Sequence, residues 1–239
     1  HSFLQKKSIP LESVMSKVWN NKIFKHIQTS VDKASKKLAE ERGSCPDAEE
    51  YGFAERFSNK TAVAPTASIS IICGGASPGI EPIAANSYTH KTLSGSYNVR
   101  NRYLKEILQK HSKDDDDTWS TITTNQGSVS HLDFLTDHEK LVFKTAFELD
   151  QKWIIELGAE RTPYISQAQS INIFLPADVH KKELHQIHFQ AWKKGLKSLY
   201  YCRSKSIQRA ENINNGLSTA TPKEESKENQ NYEECLSCQ

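Results

Sequence analysis

KSLYYCRSKS, residues 197–206, sets two phenols side by side, with Tyr200 and Tyr201 behind Leu199 and ahead of Cys202, Arg203 and Lys205. Neighbouring side chains on a strand point to opposite faces. A half-buried strand therefore has use for one of these rings and leaves the other in water. Two adjacent tyrosines beside a thiol, at the end of the part of the chain with apolar periodicity, ask for a purpose beyond packing. A helical pattern over residues 178–194, closed by Gly195, feeds directly into the pair.

Composition narrows the classes. The chain has 239 residues, 36% hydrophobic and 25% charged, which suits one or two globular domains with a core of their own. The formal net charge of +2 does not nominate nucleic acid as a partner. No run of 18 apolar residues is present, so no membrane span is expected, and no signal peptide is read. Five cysteines do not form an even disulfide framework, and a reducing cytoplasm is the expected compartment. The first residue is His1 rather than Met, which points to a piece of a longer chain or a processed product.

Outward from the tyrosines, residues 10–42 read as one long amphipathic helix. Met15, Val18, Trp19, Ile23, Ile27, Val31, Ala34 and Leu38 recur at three- and four-residue steps between Pro10 and Gly43. Residues 61–99 are Gly-rich and hydroxyl-rich with β-branched residues, and predict short strands and turns. Thr136-Asp137-His138-Glu139 is a capping box, and the spacing predicts a helix from there through Ile154 and Ile155 to Gly158. After Ala210 apolar residues almost vanish, as in a disordered tail.

Four aspartates, Asp114 to Asp117, lack a Gly turn and ordered spacing and read as a solvated loop rather than a cation site. His185 and His188, three apart, read as helix surface because no third ligand is near. No metal ligand set is nominated. The tail closes with Cys235 and Cys238 in a C-x-x-C. Zinc needs four ligands, and no second Cys or His pair lies in the tail. The pair is better suited to making and breaking a disulfide, the bland alternative being two incidental cysteines. About 25 flexible residues from Ala210 to Cys235 give a reach of roughly 25–30 Å. In APTASISIICGGASPGIEP, residues 64–82, hydroxyls and glycines could form an anion-binding concavity. Taken alone, such a stretch is more often a structural strand–turn, and the P-loop pattern is absent.

Across nearly its whole length the chain resembles the C-terminal portion of the large, catalytic subunit of class I ribonucleoside-diphosphate reductase. The resemblance is carried by HSFLQKKSIPLES (1–13), ERFSNKTAVAPTASISIICGGASPGIEP (55–82), THKTLSGSYNVRN (89–101), VFKTAFELDQKWIIELGAERTPYISQAQSINIFLP (142–176), GLKSLYYCRSKSIQRA (195–210) and YEECLSCQ (232–239). It implies an α/β fold: the later part of a ten-stranded α/β barrel with flanking helices over residues 1–210, and a flexible redox tail over 211–239. The expected activity is reduction of ribonucleoside diphosphates to deoxyribonucleoside diphosphates by radical chemistry.

What the family does assigns roles by resemblance. Tyr201, towards the small (beta) subunit, and Tyr200, towards a thiyl-forming cysteine, would relay a radical by coupled loss of a proton and an electron, which Phe cannot undergo. Thr66, Ala67, Ser68, Ile69 and Ser70 would hold the substrate diphosphate. Cys235 and Cys238 would reduce the active-site disulfide and be re-reduced by thioredoxin or glutaredoxin. Cys45, Cys73 and Cys202 match no catalytic position and are read as structural.

The family's Asn-x-Cys-x-Glu radical loop, its ribose-reducing cysteines and its nucleotide-sensing region do not occur in this sequence and are expected upstream of His1. The piece should bind no cofactor itself, the radical coming from the metal-containing small subunit and effectors binding the N-terminal portion, without which it should be inactive. Two other classes stay open: a stand-alone thiol–disulfide carrier, and a non-catalytic module that docks the small subunit through the helix over residues 178–194.

Overall fold

The computed structural model describes residues 1–92 and 95–204, in 90–92 the backbone only. In chain order the helices and strands are α1 (Ser2–Lys6), α2 (Val14–Arg42), α3 (Pro46–Glu50), α4 (Ala67–Ile72), β1 (Ser87–Thr92), β2 (Gly95–Arg100), α5 (Arg102–Lys110), α6 (Asp116–Thr124), α7 (Asp137–Val142), α8 (Gln151–Arg161), β3 (Ile173–Leu175), α9 (Lys181–Lys193) and β4 (Cys202–Ser204). The disordered-tail expectation, with Cys235 and Cys238, lies outside the described residues.

The unit that positions the tyrosines is β3–α9–β4. β3 and β4 pair in parallel, Ile173 opposite Cys202 and Leu175 opposite Ser204, and α9 makes the crossover that parallel strands require. All three β3 residues are buried, as strands covered on both faces are. Ile155 of α8 and Ile187 and Ala191 of α9 close over Ile173 and Leu175. Just upstream, Val63 bridges Gln169 in parallel, its amide donating to Ala168 O at 3.1 Å and its carbonyl accepting from Ser170 N at 2.9 Å. Residues 168–175 thus carry neighbours from two distant parts of the chain.

A second core is helical. Leu104 and Leu108 of α5, Trp119 and Ile122 of α6 and Val142 of α7 interlock with Val129, Leu132 and Leu135. Buried Asn86 ties it to the rest, its amide donating to Gly127 O at 2.9 Å and Phe143 O at 2.7 Å. Gly127 sits at φ +80°, and a Cβ there would lie 2.4 Å from Ala85 Cβ and 2.7 Å from Asn86 N. Gly127→Ala should destabilise the chain by about 2–4 kcal/mol through left-handed strain and overpacking together, read as a shifted denaturant midpoint. An unchanged midpoint would show that this junction yields freely.

The long helix is present but turned. It starts at Val14, capped by Ser13, whose side chain accepts from Ser16 N at 3.2 Å, so Pro10 lies before the cap. Its buried residues are Ser16, Asn20, Ser35 and Ala39, while Met15, Val18 and Ile27 of the expected apolar stripe are exposed. The inner face is held by polar bonds. Arg161 of α8, itself buried, donates from Nε to Gln169 Oε1 at 2.6 Å and from Nη1 to Asn20 Oδ1 at 2.9 Å. Asn20 also donates to Leu157 O at 3.0 Å, and Gln169 to Gly158 O at 3.1 Å. Desolvation, only partly offset by the charge of Glu160, pushes the Arg161 pKa down to about 9.

Four further expectations need correction. Residues 67–72 form the helix α4, not a strand. The helix opened by the Thr136 capping box ends at Val142, and α8 begins separately at Gln151 behind an Asp150 cap. The aspartate run is only half a loop. Asp115 caps α6, and Asp116 and Asp117 form its first turn, where acidic residues suit the helix dipole. The helix over 178–194 is α9, shorter at its start and capped by His180.

Candidate functional site: a tyrosine pair beside a cavity

Two backbone bonds explain how adjacent tyrosines come together. Tyr200 N donates to Ile171 O at 2.8 Å, while Tyr201 O accepts from Ile173 N at 2.9 Å. In a regular parallel ladder one residue supplies both groups. Here Tyr200 and Tyr201 share that duty, so two residues stand opposite the single residue Asn172, which is a β-bulge. The alternation of faces is interrupted, and the two rings lie 4.1 Å apart between centroids, inclined at 54°. The guanidinium of Arg203 lies 5.7 Å from the Tyr201 ring. Both tyrosines remain partly open to solvent, at 41% and 44% exposure.

The bulge turns the Tyr201 amide away from β3, and Asn172 Oδ1 accepts it at 2.9 Å. The Asn172 amide in turn donates to Glu81 Oε1 at 2.5 Å. Asn172 is 1% exposed and Glu81 7%. Burial raises the Glu81 pKa above the usual glutamate value, opposed by the Asn172 bond and the charge of Arg203.

Glu81 and Arg203 line a cavity of about 430 Å³ that also takes in Ala67, Ser70, Asn86, Tyr88 and Phe174. Thr66, between the cavity-lining Pro65 and Ala67, sits in the left-handed region, φ 54°, which is strained for a β-branched residue. Its Oγ1 accepts from Gly79 N at 2.7 Å. Thr66 caps α4, Ser70 N donates back to Thr66 O at 2.9 Å, and the amides of Ala67, Ser68 and Ile69 fall in the first turn, where a helix offers no acceptor of its own. Tyr200 borders a separate cleft of about 520 Å³ with Val63, Gln169 and Ser198.

The structure thus brings Ala67 and Ser70 of the 66–70 stretch and Arg203 to one cavity with Glu81, which Asn172 links to Tyr201. Asn172 and Glu81 were missed by sequence reasoning. A lone Asn inside the apolar run SINIFL, residues 170–175, was the available signal. Cys73 and Cys202 are exposed and Cys45 is half-buried, so a structural role in packing does not hold for the first two. His188 Nδ1 lies 2.8 Å from Leu184 O and His185 stacks on Phe189. Among the described residues no group of three or more His, Cys, Asp or Glu has metal-site geometry, and no helix is long and apolar enough to cross a membrane.

The family described as "Ribonucleotide reductase, barrel domain" matches residues 47–202, and the chain belongs to it. The ribonucleoside-diphosphate reductase large subunit of Invertebrate iridescent virus 6 is 49% identical over 217 residues, 89% of this chain and 22% of that protein. The large subunit of Invertebrate iridescent virus 3 is 41% identical over 228 residues, 94% of this chain and 36% of that one. Among solved structures, the Actinobacillus ureae class Id ribonucleotide reductase alpha subunit superposes with a TM-score of 0.79 at 39% identity, covering 86% of this chain and 37% of that chain. The chain therefore spans well under half the length of these relatives.

Proposed function

We propose that this chain forms the later strands and flanking helices of the catalytic barrel of a class I ribonucleoside-diphosphate reductase, reducing ribonucleoside diphosphates in the cytoplasm. In that reading the barrel has ten strands, residues 1–210 belong to it, and 211–239 form the redox tail. The observation that carries the reading is the bulged pair, rings 4.1 Å apart, with Tyr201 two positions before the Arg203 that lines the cavity. Tyr201 takes the radical from the small subunit and Tyr200 passes it inward, each phenol giving up one electron and one proton and regaining both. The metal that generates the radical belongs to the small subunit.

Thr66 to Ser70 hold the diphosphate through first-turn amides and hydroxyls. The strain at Thr66 supports this, since strained backbone gathers at functional sites. Cys235 and Cys238 then pass two electrons and two protons to the disulfide left by each turnover, becoming a disulfide themselves until thioredoxin or glutaredoxin reduces them. Activity requires the N-terminal portion of the large subunit, where nucleotide effectors bind.

The diphosphate assignment has a direct test. Ser68 is the second residue of α4, where proline fits a helix sterically but carries no N–H. Ser68→Ala should raise the substrate KM by the loss of one hydrogen bond, about 1 kcal/mol. Ser68→Pro should raise it considerably more. Equal and negligible effects in the assembled enzyme would remove the assignment.

A docking role for α9 has an observation of its own. Phe189 and Trp192 lie on its exposed surface, ring centroids 5.6 Å apart, and suit contact with the small subunit within the same reductase. A stand-alone thiol carrier leaves the tyrosine bulge unexplained.

A further inference from the structure

The tyrosine bulge needs a support that a plain strand pair does not supply. An extra residue in a ladder leaves one amide without its strand partner, and an amide left unpaired inside protein is costly. Here that amide belongs to Tyr201, and the only residue it stands opposite is Asn172. We infer that Asn172 is a positioning residue for the tyrosine pair. Its side-chain oxygen takes the Tyr201 amide and its nitrogen is braced on Glu81, and this two-bond strut holds the backbone in the bulge that brings the rings into contact.

Three observations favour a dedicated strut over incidental packing. Asn172 is almost fully enclosed, yet both ends of its side chain are bonded, one to each neighbour. Glu81 is also buried, and its charged neighbour across the cavity is Arg203, from the same short segment as the tyrosines. The strut also ends at Glu81 on the wall of the cavity that Ala67 and Ser70 line. An asparagine suits this place because it accepts at one end and donates at the other. Leu would do neither, and Asp would accept at both ends.

The inference rests on the relay reading for its kinetic arm only. The test uses the full chain, with 3-fluorotyrosine at position 201 as a ¹⁹F NMR probe of the neighbouring ring and Tyr200→Leu as the reference without that ring. Asn172→Asp places a second carboxylate against Glu81. At about pH 8.5, well above the ordinary carboxylate range, the two repel and the brace opens. The ¹⁹F resonance should move towards the Tyr200→Leu reference. In the assembled enzyme kcat should fall about 100-fold, as misplacement of a reacting group by an ångström does, with a smaller change in the KM for the nucleoside diphosphate, and the unfolding midpoint should drop because two carboxylates are then buried face to face.

The double variant Asn172→Asp with Glu81→Gln restores a brace with donor and acceptor exchanged, and should recover both the resonance and kcat. It also covers the case in which the single variant folds poorly. Rings that stay in contact in Asn172→Asp, a kcat loss without ring movement, or a folded double variant that recovers neither quantity would each overturn the positioning role. Turnover that survives Tyr201→Phe would instead overturn the relay, leaving the ¹⁹F arm to decide what Asn172 does.

Discussion

Tyr200→Phe and Tyr201→Phe, each made in the assembled reductase, will leave folding and small-subunit docking near normal while turnover falls to background. The bulge is built from main-chain bonds to Ile171 and Ile173 and the side chain of Asn172, none of which involves a phenol oxygen. Phe keeps the ring, its volume and its contact with its neighbour, so the packing change is small. Arg203 retains a ring face to lie over. What is removed is the O–H, the group that can lose a proton and an electron together. Single-turnover and steady-state assays beside a thermal melt separate the outcomes. Substantial residual activity in either variant would make the pair a packing feature.

The second large effect concerns the dithiol. Cys235→Ser, Cys238→Ser, or deletion of everything after Ala210 should leave the first reduction of substrate intact, because in the proposed reading these thiols act only in re-reduction. A pre-reduced, assembled enzyme should give a burst of product and then stall with thioredoxin or glutaredoxin as the only reductant. Dithiothreitol, small enough to diffuse to a buried disulfide, should restore slow turnover. Reach scales roughly with the square root of chain length, so removing about 15 residues between Asn212 and Lys227 should impair thioredoxin-driven turnover and spare the burst. Full multiple turnover from the tail-deleted enzyme with thioredoxin, or loss of the burst itself, would end the shuttle role.

What could be read from the residues follows physical lines. The Thr136 capping box and the end of α9 at Gly195 were legible because short-range chemistry alone decides them. α4 was not, since Ile-Ser-Ile-Ile reads as strand by propensity and only the turn that brings Gly79 onto Thr66 coils it. The break between α7 and α8 was marked by Asp150, whose side chain caps Lys152 N, but the apolar spacing runs across the gap and masked it. The bulge was least legible of all. Sequence shows two tyrosines, and only the pairing of a distant segment shows that both stand opposite one asparagine. The family resemblance located Thr66–Ser70 and the tyrosines, whereas Asn172 and Glu81 emerged from the hydrogen bonds.

The buried guanidinium of Arg161 has a meaning for assembly that its energetics alone do not convey. Hydrophobic burial only partly chooses the rotation of α2, because Met15 and Val18 face outward and Ser16 and Asn20 face inward, while Trp19, Ile23 and Phe24 are half-buried. A helix seated by grease alone could slide or roll by a residue with little penalty. Arg161 can satisfy its fork only when Asn20 and Gln169 arrive together, and a slip of one residue swings Asn20 about 100° around the axis. The arginine therefore acts as a key that accepts a single seating of α2. Its burial is unfavourable as a source of stability, and what it secures is uniqueness: the helix either docks in register or leaves a charge stranded.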